Sequence, residues 1–519
     1  MRLPCLLAGV AAAASSACGS TSHAGFLLVT VDARPAVHDA ASITVTLANA
    51  GTMRTDTLML GGKAFPVTFS VSTPGRIGDL AIAVDASDAS GLVIGHGSAM
   101  TTVAAASAEV MLDSTDFVVN TDYAGDQFPT DDFQGPATGF QLAALHDGTW
   151  TTVFRDDCKM QSACNVFARR FDRAGKPVTT QAAAGTNAFV VTASATTDVT
   201  TPAIASSQDA TIAMWNASDP VDATASTVAC RTIDASGRLG ANQVVVAAEA
   251  GFTPSVAAID GGNFAAIWRT EITTATDILD TIHMTLVKPD CTPVGAVLKL
   301  DQGAKTADFV HRDSVASSAG QVLFAWITNG DLRTTVMSSG GTQSPVTTLI
   351  PQTPTLEVEH ARVAAVPGGG FVIAVSWTLK TGTGAGRVDL FRVDTAGKLA
   401  GDPVRVTDQS DGDPFNAEGF GLASRSDGSM MIAWHVCNST GDSCALSGRM
   451  FQLPADPGTA PFPVTDAFAI PTTTGGSDKR ASVVGLPDAF AVVWSDSSMK
   501  PPDTSGQAVR ARIIYPPGS

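Results

Sequence analysis

The chain has 519 residues, 44% hydrophobic and 16% charged, which is enough apolar material for more than one folded domain and excludes a disordered tail. Its net charge is −17 and no basic run occurs, which argues against nucleic acid as a partner, because phosphate binding depends on clustered Lys and Arg. Thr, Ser, Val, Ala, Gly and Asp dominate, and no stretch keeps a 3.6-residue apolar period, so strands and turns are expected rather than helices.

In chain order, Met1-Arg2 supplies one positive charge, Leu3 to Ala14 is a short apolar run, and Ser15-Ser16-Ala17 leads to Cys18. The run is too short to cross a bilayer as a helix and reads as a cleaved signal. The segment resembles a bacterial lipoprotein signal, with Ser15 standing where that pattern usually has Leu. The resemblance implies that residues 1–17 are removed and that Cys18 is acylated, anchoring the chain to a membrane. With Gly19 rather than Asp next, it points to the outer membrane or cell surface. More than one acyl chain is needed for lasting attachment. An ordinary secretory signal that leaves Cys18 free is the alternative. Residues 18–24 form a short tether.

Residues 25–115 show alternating apolar stretches, Phe26 to Val31, Ile43 to Leu47, Val67 to Val71 and Leu80 to Val84, separated by turns bearing Pro and Gly. Short strands at this spacing predict an immunoglobulin-like β-sandwich.

From 116 to 519 the chain repeats itself. Ile204 to Trp215, Ala257 to Trp268, Val315 to Trp326, Ala423 to Trp434 and Val483 to Trp494 share one pattern: a small-apolar strand, a tight polar turn, and a second strand ending in Trp. Trp377 closes a further copy with an apparent two-residue insertion, and Phe154 takes the tryptophan position in the first. A third strand follows in each unit, as in Val166 to Phe171, Thr227 to Thr232 and Val388 to Val393, running into Asp172-x-x-Gly175, Asp234-x-x-Gly237 or Asp394-x-x-Gly397. Asp caps such a turn and Gly takes its positive φ. A short fourth strand ends the unit. Four antiparallel strands repeated seven times predict a seven-bladed β-propeller, a ring that leaves only short edges. The seventh unit lacks a fourth strand, and residues 116–120 look like that missing strand, able to latch the ring shut.

With Cys5 lost and Cys18 acylated, six cysteines remain for an oxidising compartment. Cys158 with Cys164 and Cys437 with Cys444 lack the Cys-x₂-Cys spacing of zinc knuckles, and His435 is the only histidine near either. Disulfides are expected, leaving Cys230 to pair with Cys291 by elimination. The layout as a whole resembles bacterial outer-membrane lipoproteins with a seven-bladed propeller region, and that resemblance implies no reaction.

Local motifs for chemistry are few. Gly175-Lys176 and Gly397-Lys398 lack P-loop spacing and are repeat turns, Gly97-Ser98 is no nucleophile elbow, and no His-Glu-x-x-His occurs. His146-Asp147-Gly148-Thr149-Trp150 is partly similar to the sialidase Asp-box, but it occurs once, lacks the leading Ser or Thr, and reads as a turn. Carboxylate-rich loops at 122–132 and 408–413 are calcium candidates by donor type. They match no EF-hand, so they read as solvated loops and no cofactor is expected.

The tight turns fall at one face of the ring, and the long, dissimilar connections (270–280, 378–386, 408–419, 496–506) at the other, where binding usually resides. Counting back fifteen residues from Trp326 and Trp494, and seventeen from Trp377 to allow for its apparent insertion, places His311, Lys479 and His360 where the inner strands open onto that face, with Arg312, Asp313, Arg362 and Arg480 close by. This predicts a largely cationic funnel suited to an anionic or carbohydrate ligand. The function expected is a non-catalytic module that binds an extracellular glycan, anion or protein. A propeller enzyme of the glycoside hydrolase or polysaccharide lyase class is the alternative, and a passive envelope component a third.

Overall fold

The computed structural model describes residues 25–122, 140–156, 165–183, 185–192, 198–208, 210–218, 226–241, 243–247, 251–273, 278–304, 313–380, 387–407, 420–437, 443–456, 458–504 and 506–518. Two compact units emerge, one covering most of the chain up to Leu112 and the other running essentially from Asp113 onwards.

The first unit has strands β1 (Phe26–Ala33), β2 (Ser42–Asn49), β3 (Thr52–Met59), β4 (Val67–Ser72), β5 (Asp79–Ser87), β6 (Val93–Thr102) and β7 (Ser107–Ser114). Strand spacing led us to expect two sheets packed face to face; instead the seven strands share a single order, β3-β2-β5-β6-β7-β1-β4. β1 lies parallel to β7 and antiparallel to β4. One face is apolar: Leu27, Val29 and Val31 alternate with outward residues along β1, as do Ile82, Val84 and Ala86 along β5. Such period-two burial is what a sheet with one covered face requires.

In the second unit the burial pattern changes character. The second strand of each blade is buried at almost every position, as in Ala210–Ser218 and Phe490–Asp496, because each blade is covered on both faces by its neighbours. Seven sheets follow in chain order, each of four strands except the sixth, to which a short fifth strand adds. β8 (Phe117–Val118) pairs with the last strand, Ala508–Ile514, through Arg510↔Val118 and Ala511↔Phe117, and supplies the outer strand of blade seven. The ring is therefore closed by a strand that precedes it in sequence.

Among the described residues, seven apolar clusters hold the ring, one between each pair of neighbours. Trp215 packs in the cluster shared by blades one and two, Trp268 in that of two and three, and Trp494 in that of six and seven. Phe154 does the same against blade seven, with Val119 completing the cluster. Each marker thus faces the preceding blade. Truncating one such aromatic to Ala would cost about 3–5 kcal/mol.

The marker of blade five needs correcting. Its first hairpin turn, Val366–Gly370, has the same length as Leu145–Thr149, Ile259–Asn263 and Arg425–Ser429, so no two-residue insertion exists. Five residues past the turn stands Val375, and Trp377 lies at the next same-face position, two residues on, in the same cluster. A strand's period of two lets Trp move by one such step without changing the face it fills.

A second repeat device joins the blades. Arg169, Arg231, Arg449 and Arg512 occupy one register position on the third strands of blades one, two, six and seven. Their guanidinium groups donate to the carbonyls of Val119 (2.5 Å), Val191 (2.8 Å), Val406 (2.5 Å) and Ile470 (2.8 Å). Each acceptor is the residue directly after an outer strand of the preceding blade, beyond the end of its short ladder. The other three blades carry Thr285, Thr335 and Phe391 there.

The third-to-fourth turns repeat as expected. Asp172, Asp234 and Asp394 each accept backbone hydrogen bonds two and four residues on, at 2.8–2.9 Å, and Gly175, Gly237 and Gly397 have φ of 83°, 75° and 80°. Cys230–Cys291 joins blades two and three, and Cys437–Cys444 bridges adjacent strands of blade six. With sequence separations of 61 and 7, the chain-entropy model gives about 4 and about 2 kcal/mol of stabilisation. Cys158 and Cys164 lie outside the described residues.

Candidate functional site

Among the described residues, the blades bury two clusters of paired charge. Arg269 directly follows Trp268 on the second strand of blade three, so it faces the opposite way, toward blade four. Its guanidinium reaches Asp280 Oδ2 at 2.5 Å, Asp313 Oδ1 at 2.8 Å and the carbonyl of Ile327 at 3.0 Å. Burial pushes the Asp313 carboxyl up, and Arg269 pulls against that rise, with Arg362 assisting from blade five. Arg362 donates to the carbonyl of Ala361 at 2.9 Å, lies 5.8 Å over the ring of Phe420, and is pushed down to about 10 by burial. Three blades thus share two guanidinium groups and two carboxylates.

A second cluster sits where the ring closes. Arg510 ion-pairs with Asp496 and, at 3.2 Å, with Asp116, and donates to the carbonyl of Lys500 at 2.9 Å. Asp116, just ahead of β8, also accepts the backbone N–H groups of Thr472 at 2.7 Å and Thr473 at 2.8 Å. Both threonine hydroxyls donate to it too, at 3.0 and 2.6 Å. Asp478, opposite Asp496 in register, accepts from Trp494 Nε1 at 3.0 Å. Three carboxylates therefore surround one guanidinium, and Asp478 is the one left over. Burial, then the charges of Asp496 and Asp116, push its carboxyl up to about 7, against the pull of Trp494 and Arg510.

Of the residues expected to line the funnel, His311 and Arg312 lie outside the described residues. His360 and Lys479 do share a register position: His360 pairs with Ser376 and Lys479 with Ser495, each one residue past the true marker, Val375 or Trp494. His360 is only 2% exposed and its backbone N–H donates to Ser376 Oγ at 3.0 Å. Arg480 follows at an irregularity of the strand, with φ of 60°. Asp313 and Arg362 are brought into electrostatic contact, but Asp313 is spent on Arg269. The acidic partners Asp280, Asp496 and Asp116 escaped the sequence reading, because marker counting samples first strands and these residues come from other elements.

His435, Cys437 and Cys444 also converge: their ligand-type atoms lie within 4.8 Å of one another. The fold explains this. His435 and Cys437 are two apart on one strand and so share a face, and Cys437 stands opposite Cys444 in register.

No family model matches the chain, and no curated protein matches it. Among solved structures, a protein of unknown function from Dyadobacter fermentans is 10% identical, with 78% of this chain and 98% of that one covered at a TM-score of 0.42. An α-L-arabinanase of Penicillium chrysogenum, complexed with arabinobiose, is 9% identical, with 77% and 98% covered at 0.43. A Trypanosoma rangeli sialidase is 8% identical, with 77% and 59% covered at 0.37.

Asp478 sets a pH dependence. A carboxyl raised from 3.8 to about 7 on folding binds its proton more tightly in the folded chain, so it contributes stability below about pH 4 that is lost as pH rises through 7. Asp478→Asn keeps an acceptor for Trp494 and removes the charge. Thermal unfolding at pH 6 and pH 8 should show the wild type losing more stability over that interval than the variant. Parallel losses would mean that the carboxyl is charged throughout.

Proposed function

We propose that the protein is a lipid-anchored component of the cell surface that binds an extracellular ligand, without catalysis, through the face of its propeller carrying the long connections. The carrying observation is how three buried carboxylates are used. Asp313, Asp116 and Asp496 are each engaged by a guanidinium within the fold, so they serve ring geometry rather than standing ready for a substrate. The two faces also differ: one carries the repeated Asp-capped turns, the other connections alike in neither length nor composition. Rigid blades with dissimilar loops suit recognition. Lys479 and Arg480 sit near the start of the inner strand of blade seven, and an anionic or carbohydrate ligand is the class proposed for them.

An enzyme of the glycoside hydrolase or lyase class is the second reading, and Asp478 is the observation that favours it. A carboxyl held near 7 can donate a proton at neutral pH, as hydrolysis of a glycosidic bond requires. A passive envelope role is the third.

Two experiments separate these readings. A glycan and anion screen on the wild type and a His311→Ala/His360→Ala/Arg480→Ala variant should show binding that weakens in the variant. Indistinguishable profiles would reduce these residues to channel lining, and turnover of a glycan abolished by Asp478→Asn would favour the enzyme. For the anchor, the wild type should partition into detergent and carry acyl groups on Cys18, whereas Cys18→Ser should be released as soluble material. Identical fractionation of the two would contradict lipidation.

A further inference from the structure

We propose that His435, Cys437 and Cys444 form a reduction-gated site for a thiophilic divalent cation of the zinc class. The three donors are delivered by strand geometry rather than by a loop. His435 and Cys437 project from the same face of the second strand of blade six, and Cys444 projects beside Cys437 from the third. Their ligand atoms lie within 4.8 Å of one another, and His435 and Cys444 are buried. A tetrahedral zinc site with bonds of about 2.3 Å to sulfur and about 2.0 Å to nitrogen spaces its ligand atoms about 3.3–3.8 Å apart. The imidazole therefore needs to move by about an ångström, and the sulfurs need to separate. Cys444 N–H donates to Ser477 Oγ at 3.1 Å, tying the third strand to the start of the inner strand of blade seven.

In the oxidised protein the sulfurs are spent on each other, and a disulfide is a poor ligand. A dithiol reductant transfers two electrons and two protons to the Cys437–Cys444 bond, becoming a cyclic disulfide itself and leaving two thiols. The cation then displaces both thiol protons and takes two thiolates and one neutral imidazole. This donor set suits zinc by softness, and three protein ligands leave a fourth position for water. Because the bridge closes a sequence separation of only 7, its opening leaves blade six held by its strand ladder and its two neighbouring clusters. Redox state thus decides whether the end of this hairpin is covalently stapled or open to a metal.

The test uses the full chain carrying Cys158→Ser/Cys164→Ser, which removes the other short cysteine pair. It is reduced with dithiothreitol, desalted without oxygen and titrated with cobalt(II) as the spectroscopic probe. The reduced protein should take up one cobalt per chain more than the same protein carrying Cys437→Ser/Cys444→Ser, and should show a thiolate-to-cobalt charge-transfer band. Reoxidation with diamide should discharge that band in the otherwise unaltered chain, a readout that depends on no further variant. His435→Ala should weaken cobalt binding by at least the roughly 10-fold that loss of an outer-shell partner costs. Equal uptake with and without the Cys437/Cys444 thiols, or a band that survives reoxidation, would overturn the site.

Discussion

A blade of four short strands cannot cover either of its own faces, and every other feature of the propeller follows from that constraint. Each blade must find its core in its neighbours, so the apolar residues gather into clusters between blades rather than within them. Such a chain of interfaces is finished only when the last blade meets the first. Here the closing piece is β8, whose ladder is two residue pairs long. So short a ladder is reinforced from both sides. Arg169 reaches back from blade one to Val119, while Asp116 engages Arg510 in blade seven and caps Thr472 and Thr473. Buried guanidinium–carboxylate pairs of this kind hold position and register, even where their net stabilisation is small.

The same constraint sorts the molecule's charges. Arg269 and Arg510 are matched to carboxylates, and Arg169, Arg231, Arg449 and Arg512 to carbonyls just past the end of an outer strand. Asp478 is the exception in number: three carboxylates meet one guanidinium, and its proton removes one of the surplus negative charges near neutrality.

Much of this architecture was legible in the sequence. The marker tryptophans fixed the repeat because a residue that must fill the gap to the preceding blade recurs at one phase. The Asp-x-x-Gly turns were equally plain because a positive φ and a capped turn demand those residue types. The strand at 116–120 was legible for the opposite reason, an absence at the far end of the chain. What the sequence hid were relations across elements. The apparent insertion before Trp377 was an illusion, since Val375 and Trp377 fill the same face and a marker count cannot tell which one holds the phase. The single strand order of the first unit could not be read from alternating strands, which look alike whether one sheet curls over its apolar face or two sheets pack. The arginines that staple outer strands stood in view at 169, 231, 449 and 512, yet their acceptors are backbone carbonyls, which carry no sequence signal. His435, Cys437 and Cys444 became a set only once register placed Cys437 opposite Cys444.

The central claim is that closure through β8 makes the two flanking blades depend on one another. Hydrogen–deuterium exchange on the full chain, comparing wild type with Asp116→Ala, tests it most directly. The account predicts faster exchange in Ala508–Ile514 of blade seven and in Asn165–Phe171 of blade one, while Phe264–Thr273 and Gln321–Thr328, in blades three and four, keep their protection. Unchanged exchange in both flanking strands would contradict it and leave β8 as a passive end of the first unit.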